Sequence, residues 1–421
     1  MASQALTAEK PTGAEPDVPG SLRYVARQPI LDLRGRVHGY ELLFRAGPEA
    51  VFRGDGDFAT RTMLDNSVLF GMDKLTSGLP AFVNCTAESL TERLVDILPP
   101  SMTVLEILET VDPTPQVIVA CRKLKETGFR LALDDFIWSP KWAPLVELAD
   151  YIKIDFLATD SAQRKELLGR IRGASVTLIA EKIETQADYK QACSEGFTLF
   201  QGYYFCRPML LKKQQIPANR LSHIEILRLM QADEIDFNML TKAVNRDASL
   251  TYRLLRLVNS PIYGIRDQVH SIRSALIAVG ENTFRRVATL AITSELNAGQ
   301  PVEILRMAFV RGRFCELAAG ITRLDQTEQY LLGLLSMLPA MLRVPMDQLT
   351  PMLPLRSQIL KALEGDENPE RKLLDWLEFQ ERGDWTSCDA VVQSHKLNET
   401  ELVDCYEKSV EWAEAVLHSA I

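Results

Sequence analysis

At residues 131–140 the chain reads LALDDFIWSP: an apolar run, Leu131-Ala132-Leu133, ends in the adjacent carboxylates Asp134 and Asp135, and bulky Phe136, Ile137 and Trp138 follow. Polar groups recur in this setting. Glu41 lies in GYELLFR, Asn84 ends AFVN, Glu106 and Glu109 sit in LEILET, Lys153 and Asp155 in IKID, Glu181 follows LIA and Gln201 follows LF. If the apolar runs are strands opening onto one face, negative charge crowds there, which is costly unless a cation neutralises it. Hard oxygen donors of this kind suit Mg²⁺ or Mn²⁺. Two such ions activate water and clamp a phosphate, the chemistry of phosphodiester hydrolysis, and a lysine steadies the charge. Any one of these residues alone is better read as a helix cap. Six successive strand ends are poorly explained that way. Lone Asp155 keeps the structural reading.

Elements must place those groups. From Arg23 to Phe205 short apolar runs (YVARQPILDL, AFVNC, TVLEIL, FRLALDDF, YIKIDF, VTLIAEKI, LFQGYYF) alternate with amphipathic stretches such as Pro115 to Glu126 and Gln186 to Glu195. Repeated strand–helix alternation predicts a parallel sheet. The number of units fits a TIM-like (β/α)8 barrel, whose strand C-termini open onto one face, with Glu41 following the first strand. A doubly wound open sheet is the alternative. No G-x-G-x-x-G follows the first strand, which weakens a dinucleotide-binding fold.

Past Pro217 the strand pattern stops. SLTYRLLRLVNS sets Leu250, Leu254, Leu257 and Val258 on one helical face, with Asp247 or Ser249 to cap it. SIRSALIAVG does the same with Ile272, Leu276 and Val279, and Gly280 suits its end. Further helices are expected over Pro301 to Ala319, Gln326 to Leu342, Arg371 to Arg382 and Glu399 to His418. The expected division is a disordered tail over 1–22, a barrel over 23–209, an all-α domain over 217–405 and the end of its last helix over 406–421. The basic, Pro-containing stretch MLLKKQQIPANR marks the boundary.

Composition narrows the class. The 421 residues carry a net charge of −9, which argues against a protein whose main work is gripping nucleic acid. The seven cysteines are scattered without a CxxC pair, which reads as free thiols in a reducing, cytoplasmic setting. The N-terminal stretch has no signal-peptide core, and Tyr330 to Val344, interrupted by Pro339 and Arg343, is too short to span a bilayer.

The ordered set ARQPI…GYELLFR, FVN, LEILE, LDDF, IKIDF, AEKIE and QGYYFCRP resembles the EAL domain, the bacterial cyclic di-GMP phosphodiesterase barrel, over roughly Arg23 to Pro208. TYRLLRLVNSPIYG followed by SIRSALIAVG resembles the HDOD domain, and that likeness extends into RGRFCELAA and YLLGLLSML. The resemblance implies metal ligation by Glu41, Asn84, Glu106, Asp134 and Asp135. It implies active-site roles for Lys153 and Glu181, a loop-ordering role for Glu109, and substrate contacts from Arg45 and Gln201. Its cofactor would be Mg²⁺ or Mn²⁺ if the metal site functions, and its ligand cyclic di-GMP. Departures stand beside these matches. The signature reads Glu41-Leu42-Leu43 where the family has a central Ala. AEGVE has become Ala180-Glu181-Lys182-Ile183-Glu184. Ile137-Trp138-Ser139-Pro140 replace a Gly-rich turn that in active members links metal binding to turnover. Two readings follow: a degenerate barrel that binds or senses, with the HDOD domain as output or docking module for protein partners, and an active phosphodiesterase.

HDOD domains resemble metal-dependent HD phosphohydrolases, which need a His-Asp dyad. None of His38, His223, His270, His395 and His418 is followed by Asp, so no such metal site is expected, and His223 and His270 read as surface or cap residues. Arg253, Arg256, Arg266, Arg273, Arg285 and Arg286 read as a solvated face. A homodimer is expected by analogy alone.

Overall fold

The computed structural model describes residues 23–46, 72–202, 218–230, 236–353 and 355–420. The expected tail over 1–22 and most of the boundary stretch lie outside them. Eight strands close a barrel in chain order: β1 (Arg23–Asp32), β2 (Val37–Ala46), β3 (Ala81–Cys85), β4 (Thr103–Ile107), β5 (Arg130–Leu133), β6 (Tyr151–Asp155), β7 (Thr177–Glu181) and β8 (Leu199–Phe200). β1 runs antiparallel to both β2 and β8, and the other neighbours are parallel.

This corrects one expectation. GYELLFR is itself a strand, so Glu41 lies within β2 rather than after the first strand. The cause is a tight hairpin. The Asp32 carboxylate accepts from the Arg34 and Arg36 amides at 2.8 and 2.9 Å, and Gly35, at φ +72°, takes the left-handed corner.

Among the described residues six helices surround the barrel: α1 (Met72–Thr76), α2 (Ala87–Thr91), α3 (Pro115–Glu126), α4 (Ala143–Val146), α5 (Ser161–Arg170) and α6 (Gln186–Glu195). Thr86, Thr114, Asp160 and Thr185 cap four of them, each accepting a first-turn amide. Inside the barrel Ile30, Phe82, Val104, Ala132, Tyr151, Ile179 and Leu199 form an apolar plug. It fills the end toward the strand N-termini, so polar side chains collect at the other mouth.

The second half is helical throughout its described residues: α7 (Ala218–Met230), α8 (Phe237–Asn245), α9 (Ala248–Val258), α10 (Ile272–Val279), α11 (Glu281–Leu296), α12 (Val302–Thr322), α13 (Gln326–Leu335), α14 (Leu338–Leu342), α15 (Met346–Leu349), α16 (Ser357–Glu364), α17 (Lys372–Arg382), α18 (Trp385–His395) and α19 (Glu399–Ala420). The expected face of α9 is fully buried, and Asp247 rather than Ser249 caps it, accepting from the Leu250 amide at 3.0 Å. α19 runs through position 405 without a break. Among the described residues no helix is long and apolar enough to cross a membrane.

The helical half packs on the outer face of the β1–β2 hairpin. Tyr40 donates to Glu303 at 2.9 Å, and Gln380 donates to the Val25 carbonyl at 3.2 Å. A Cβ built on Gly35 would sit 2.7 Å from Pro301, and one on Gly383 would sit 2.7 Å from Leu43. The interface is therefore close at both ends of the hairpin.

Candidate functional site at the barrel mouth

Side chains alternate along a strand, and in this barrel Glu41, Glu106 and Lys153 all turn inward. Lys153 is 1% exposed, and its ammonium lies 3.0 Å from Glu41, 2.9 Å from Glu106, 2.8 Å from Asp134 and 2.8 Å from Glu181. Gln201 donates to Glu41 at 2.7 Å, and Asn84 donates to it at 3.4 Å. Seven polar residues, each from a different strand or the residue just after it, thus meet at one mouth.

Their charges are unequally stabilised. Burial pushes Glu41 up, but the Lys153 ammonium and hydrogen bonds from Gln201, Lys153 and Asn84 outweigh it and hold Glu41 below the usual range. Glu106 goes well above that range, first through burial and then through Glu41. Burial raises Asp134, with Lys153 pulling back, and by the same balance Glu181 reaches about 8. Burial would lower Lys153, yet the surrounding carboxylates hold it well above an ordinary lysine. One ammonium serves four carboxyl groups.

The paired aspartates part company. Asp134 joins the cluster. Asp135, at φ +39°, turns its carboxylate to Lys182 at 3.6 Å. Lys182 is itself left-handed, at φ +54°, and also bonds Asp155. Asp155 accepts from the Leu157 and Ala158 amides at 2.7 and 3.0 Å, the structural role expected of it. Glu109 is exposed beyond β4 and does not line the mouth. Arg45 lies on β2, and its side chain is outside the described residues.

After Asp135 the loop turns inward. Phe136 is buried edge-on against Trp142, centroids 5.8 Å apart, and Trp138 packs on the barrel core, leaving Ile137 exposed. Sequence reasoning missed Gln28 and Lys182. Gln28 faces Glu41 in register and accepts from Gln201 at 2.9 Å. A polar residue inside the apolar run YVARQPIL was its only signal.

In the helical half one expectation is corrected. His223 is buried and hydrogen-bonds Asp247 at 2.8 Å, so it braces the α9 cap instead of facing solvent. His270 is exposed. Among the described residues, the barrel mouth included, no group of three or more His, Cys, Asp and Glu side chains stands open for a metal ion; at the mouth Lys153 pairs the carboxylates. Arg253, Arg285 and Arg286 pair with Glu295, Glu281 and Glu316, an ordinary salt-bridged surface.

Comparison with known proteins agrees with this architecture. The EAL domain family matches residues 77–208 and the HDOD domain family residues 216–354. The chain is 33% identical over 400 residues to the protein YuxH of Bacillus subtilis, spanning 92% of this chain and 97% of that one. It is 35% identical over 369 residues to the cyclic di-GMP phosphodiesterase CdgJ of Vibrio cholerae, spanning 86% of this chain and 85% of that one. Among solved structures, BlrP1 of Klebsiella pneumoniae in a calcium and cyclic di-GMP complex is 24% identical, with a TM-score of 0.38, covering 50% of this chain and 58% of its own. The PaMucR phosphodiesterase in complex with cyclic di-GMP is also 24% identical, with a TM-score of 0.37, covering 48% of this chain and 99% of its own. A barrel with a carboxylate-lined mouth, followed by a helical domain, defines a two-domain EAL-type signalling architecture. The chain belongs to the family of proteins in which an EAL domain precedes an HDOD domain.

Proposed function

We propose that the chain is a bacterial cyclic di-GMP signalling protein whose barrel, over residues 23–209, binds the dinucleotide at the carboxylate mouth as a regulatory module. The helical domain from residue 217 is its output or docking module for protein partners. The working compartment is the cytoplasm, in keeping with six free thiols among the described residues.

The observation that carries the binding reading is Lys182. It stands where AEGVE has glycine, and its ammonium, hydrogen-bonded to Asp155, lies 3.6 Å from Asp135. A second cation at Asp135 would have to displace it. Asp134 alone remains in the cluster, and hydrolysis of a phosphodiester by paired ions needs both positions.

The donor types suit a single Mg²⁺ or Mn²⁺, which would have to take carboxylates that Lys153 now pairs. Glu106 Oε2, Glu181 Oε2 and Asn84 Oδ1 are buried hard oxygens with no hydrogen-bond partner. Glu41, Asn84, Glu106 and Asp134 would hold the ion. Bound there, it would polarise water and offset phosphate charge. Lys153 keeps the remaining carboxylates paired, and Gln201 fixes the Glu41 carboxylate by donating to it. Those unpartnered oxygens, with the activity named for the Vibrio relative, support active hydrolysis as the second reading.

One assay separates them. Purified protein is incubated with cyclic di-GMP and Mn²⁺, with product read by chromatography and binding by calorimetry. Tight binding without product is expected. Turnover that Asp134→Ala abolishes would overturn the regulatory reading, and no binding at all would overturn both.

A further inference from the structure

The space above the carboxylate cluster is not bounded by the barrel alone. It is a cavity of 440 Å³, a size typical of small-ligand sites. One side is Glu41, Asp134, Lys153, Glu181 and Gln201. The other comes from the helical domain: Arg306, Met307 and Val310 of α12, Arg382 at the end of α17, and Tyr406 of α19.

The far wall is fixed to the near one. Gln28 donates to the Arg382 carbonyl at 3.0 Å and accepts from Gln201, which also donates to Glu41. Two side-chain amides therefore connect the end of α17 to a carboxylate of the cluster. The contact of Gly383 with Leu43 leaves no slack beside them. Arg306 is held by Glu303 at 2.8 Å and by Glu414, so its guanidinium is part of a built wall.

The chemistry of the two walls differs. The barrel side is carboxylate and amide with one buried ammonium. The helical side offers the apolar faces of Met307, Val310 and Tyr406, beside Arg306 and Arg382 and the carboxylates Glu303 and Glu381. A nucleotide has that same division, a flat apolar base next to charged phosphate.

We propose that the ligand site is composite: the helical domain supplies the wall against which a purine base of the bound nucleotide packs, so that ligand binding and domain docking form one equilibrium. This rests on the nucleotide-binding reading above. A ligand that touches both domains binds the docked form more tightly than an undocked one, and by linkage it tightens docking by the same factor. Occupancy of the barrel is thereby reported to the outer faces of the helical domain.

The test uses the full chain and cyclic di-GMP with Ca²⁺, read by calorimetry and by amide hydrogen exchange. Val310→Trp fills the cavity from the helical side, and Met307→Ala trims the same wall without adding bulk. Both positions lie on α12 of the helical domain. Affinity should fall at least tenfold in Val310→Trp and severalfold in Met307→Ala, with the far-UV circular dichroism unchanged in the latter. Ligand should slow exchange in β1 and at the end of α17 in the parent protein. Parent-like affinity in a folded Met307→Ala, with slowed exchange confined to β2–β8, overturns the composite site and leaves the binding reading standing. Absence of binding by the parent protein overturns both.

Discussion

At the scale of single residues the mouth of the barrel is an exercise in charge neutralisation. Lys153 holds four carboxyl groups within 3.0 Å while almost wholly buried. Removing one partner of a buried ion pair typically costs about 3–5 kcal/mol, because the charge left behind has neither water nor counterion. Lys153→Met should therefore lower the unfolding free energy by about that amount in urea at neutral pH. Added Mn²⁺ should recover part of the loss by supplying another cation to the same oxygens. An unchanged midpoint would show that the cluster does not depend on the ammonium. The membership of this cluster was legible in the sequence, because a polar residue at the end of an apolar run has few other reasons to be there. The direction of Asp135 was not. Its carboxylate is turned by Lys182, a residue of the segment after β7, and by a left-handed backbone that no local pattern announces.

At the scale of elements, the weakest strand carries a site residue. β8 has two residues, and Gln201 follows it directly. Its position is fixed by the Ile183 amide, which donates to the Gln201 carbonyl at 3.1 Å, and by the close approach of Gly202. Gly202 sits at φ +139°, and a Cβ there would lie 2.5 Å from the Ile183 nitrogen. Backbone cannot yield as a side-chain tip does, so Gly202→Ala should cost about 1–3 kcal/mol. Thermal unfolding should show a midpoint several degrees lower, and an unaltered midpoint would count against the close approach. Seven of the strands could be read from apolar runs. The eighth, β2, escaped because GYELLFR follows β1 across a turn, DLRGR, that lacks the Asn-Gly or Asp-Gly signal of a two-residue hairpin. Among the helices, Gln326 to Leu342 read as one element but breaks into α13 and α14, where Pro339 enters the first turn of the second. α7, α8, α11, α15, α16 and α18 were missed, α11 because Thr289, Thr293 and Ser294 are buried among its apolar residues and blur the amphipathic stripe.

At the scale of the whole molecule the two domains meet through matches that no local pattern reveals: Gly35 beneath Pro301, Gly383 against Leu43, and Tyr40 on Glu303. The polar centre of the contact is Glu414 of α19. It accepts from Ser77 at 2.8 Å, lies 3.5 Å from Arg27 and pairs with Arg306. Arg27 also donates to the Leu75 carbonyl at 2.8 Å and rests over the Tyr40 ring. Burial alone would raise the Glu414 carboxyl, but Arg306, Ser77 and Arg27 outweigh it and hold it below the ordinary glutamate range. A carboxyl depressed in the folded state stabilises that state fully above its unfolded value, about 4.3, and loses the contribution as pH falls through the lower folded value. Glu414→Gln lacks that contribution at every pH. At pH 7 the variant should be less stable by about 1–3 kcal/mol, the usual worth of hydrogen bonds to a charged group. Calorimetry should show either a lower single transition or a separate early one for loss of docking. As pH drops below about 4 the two proteins should converge, because protonation turns the parent carboxylate into the neutral group that the variant already carries. A gap between parent and variant that stays constant from neutral to acid pH would mean that Glu414 packs without contributing its charge, and the domain clasp would then rest on the apolar and glycine contacts alone.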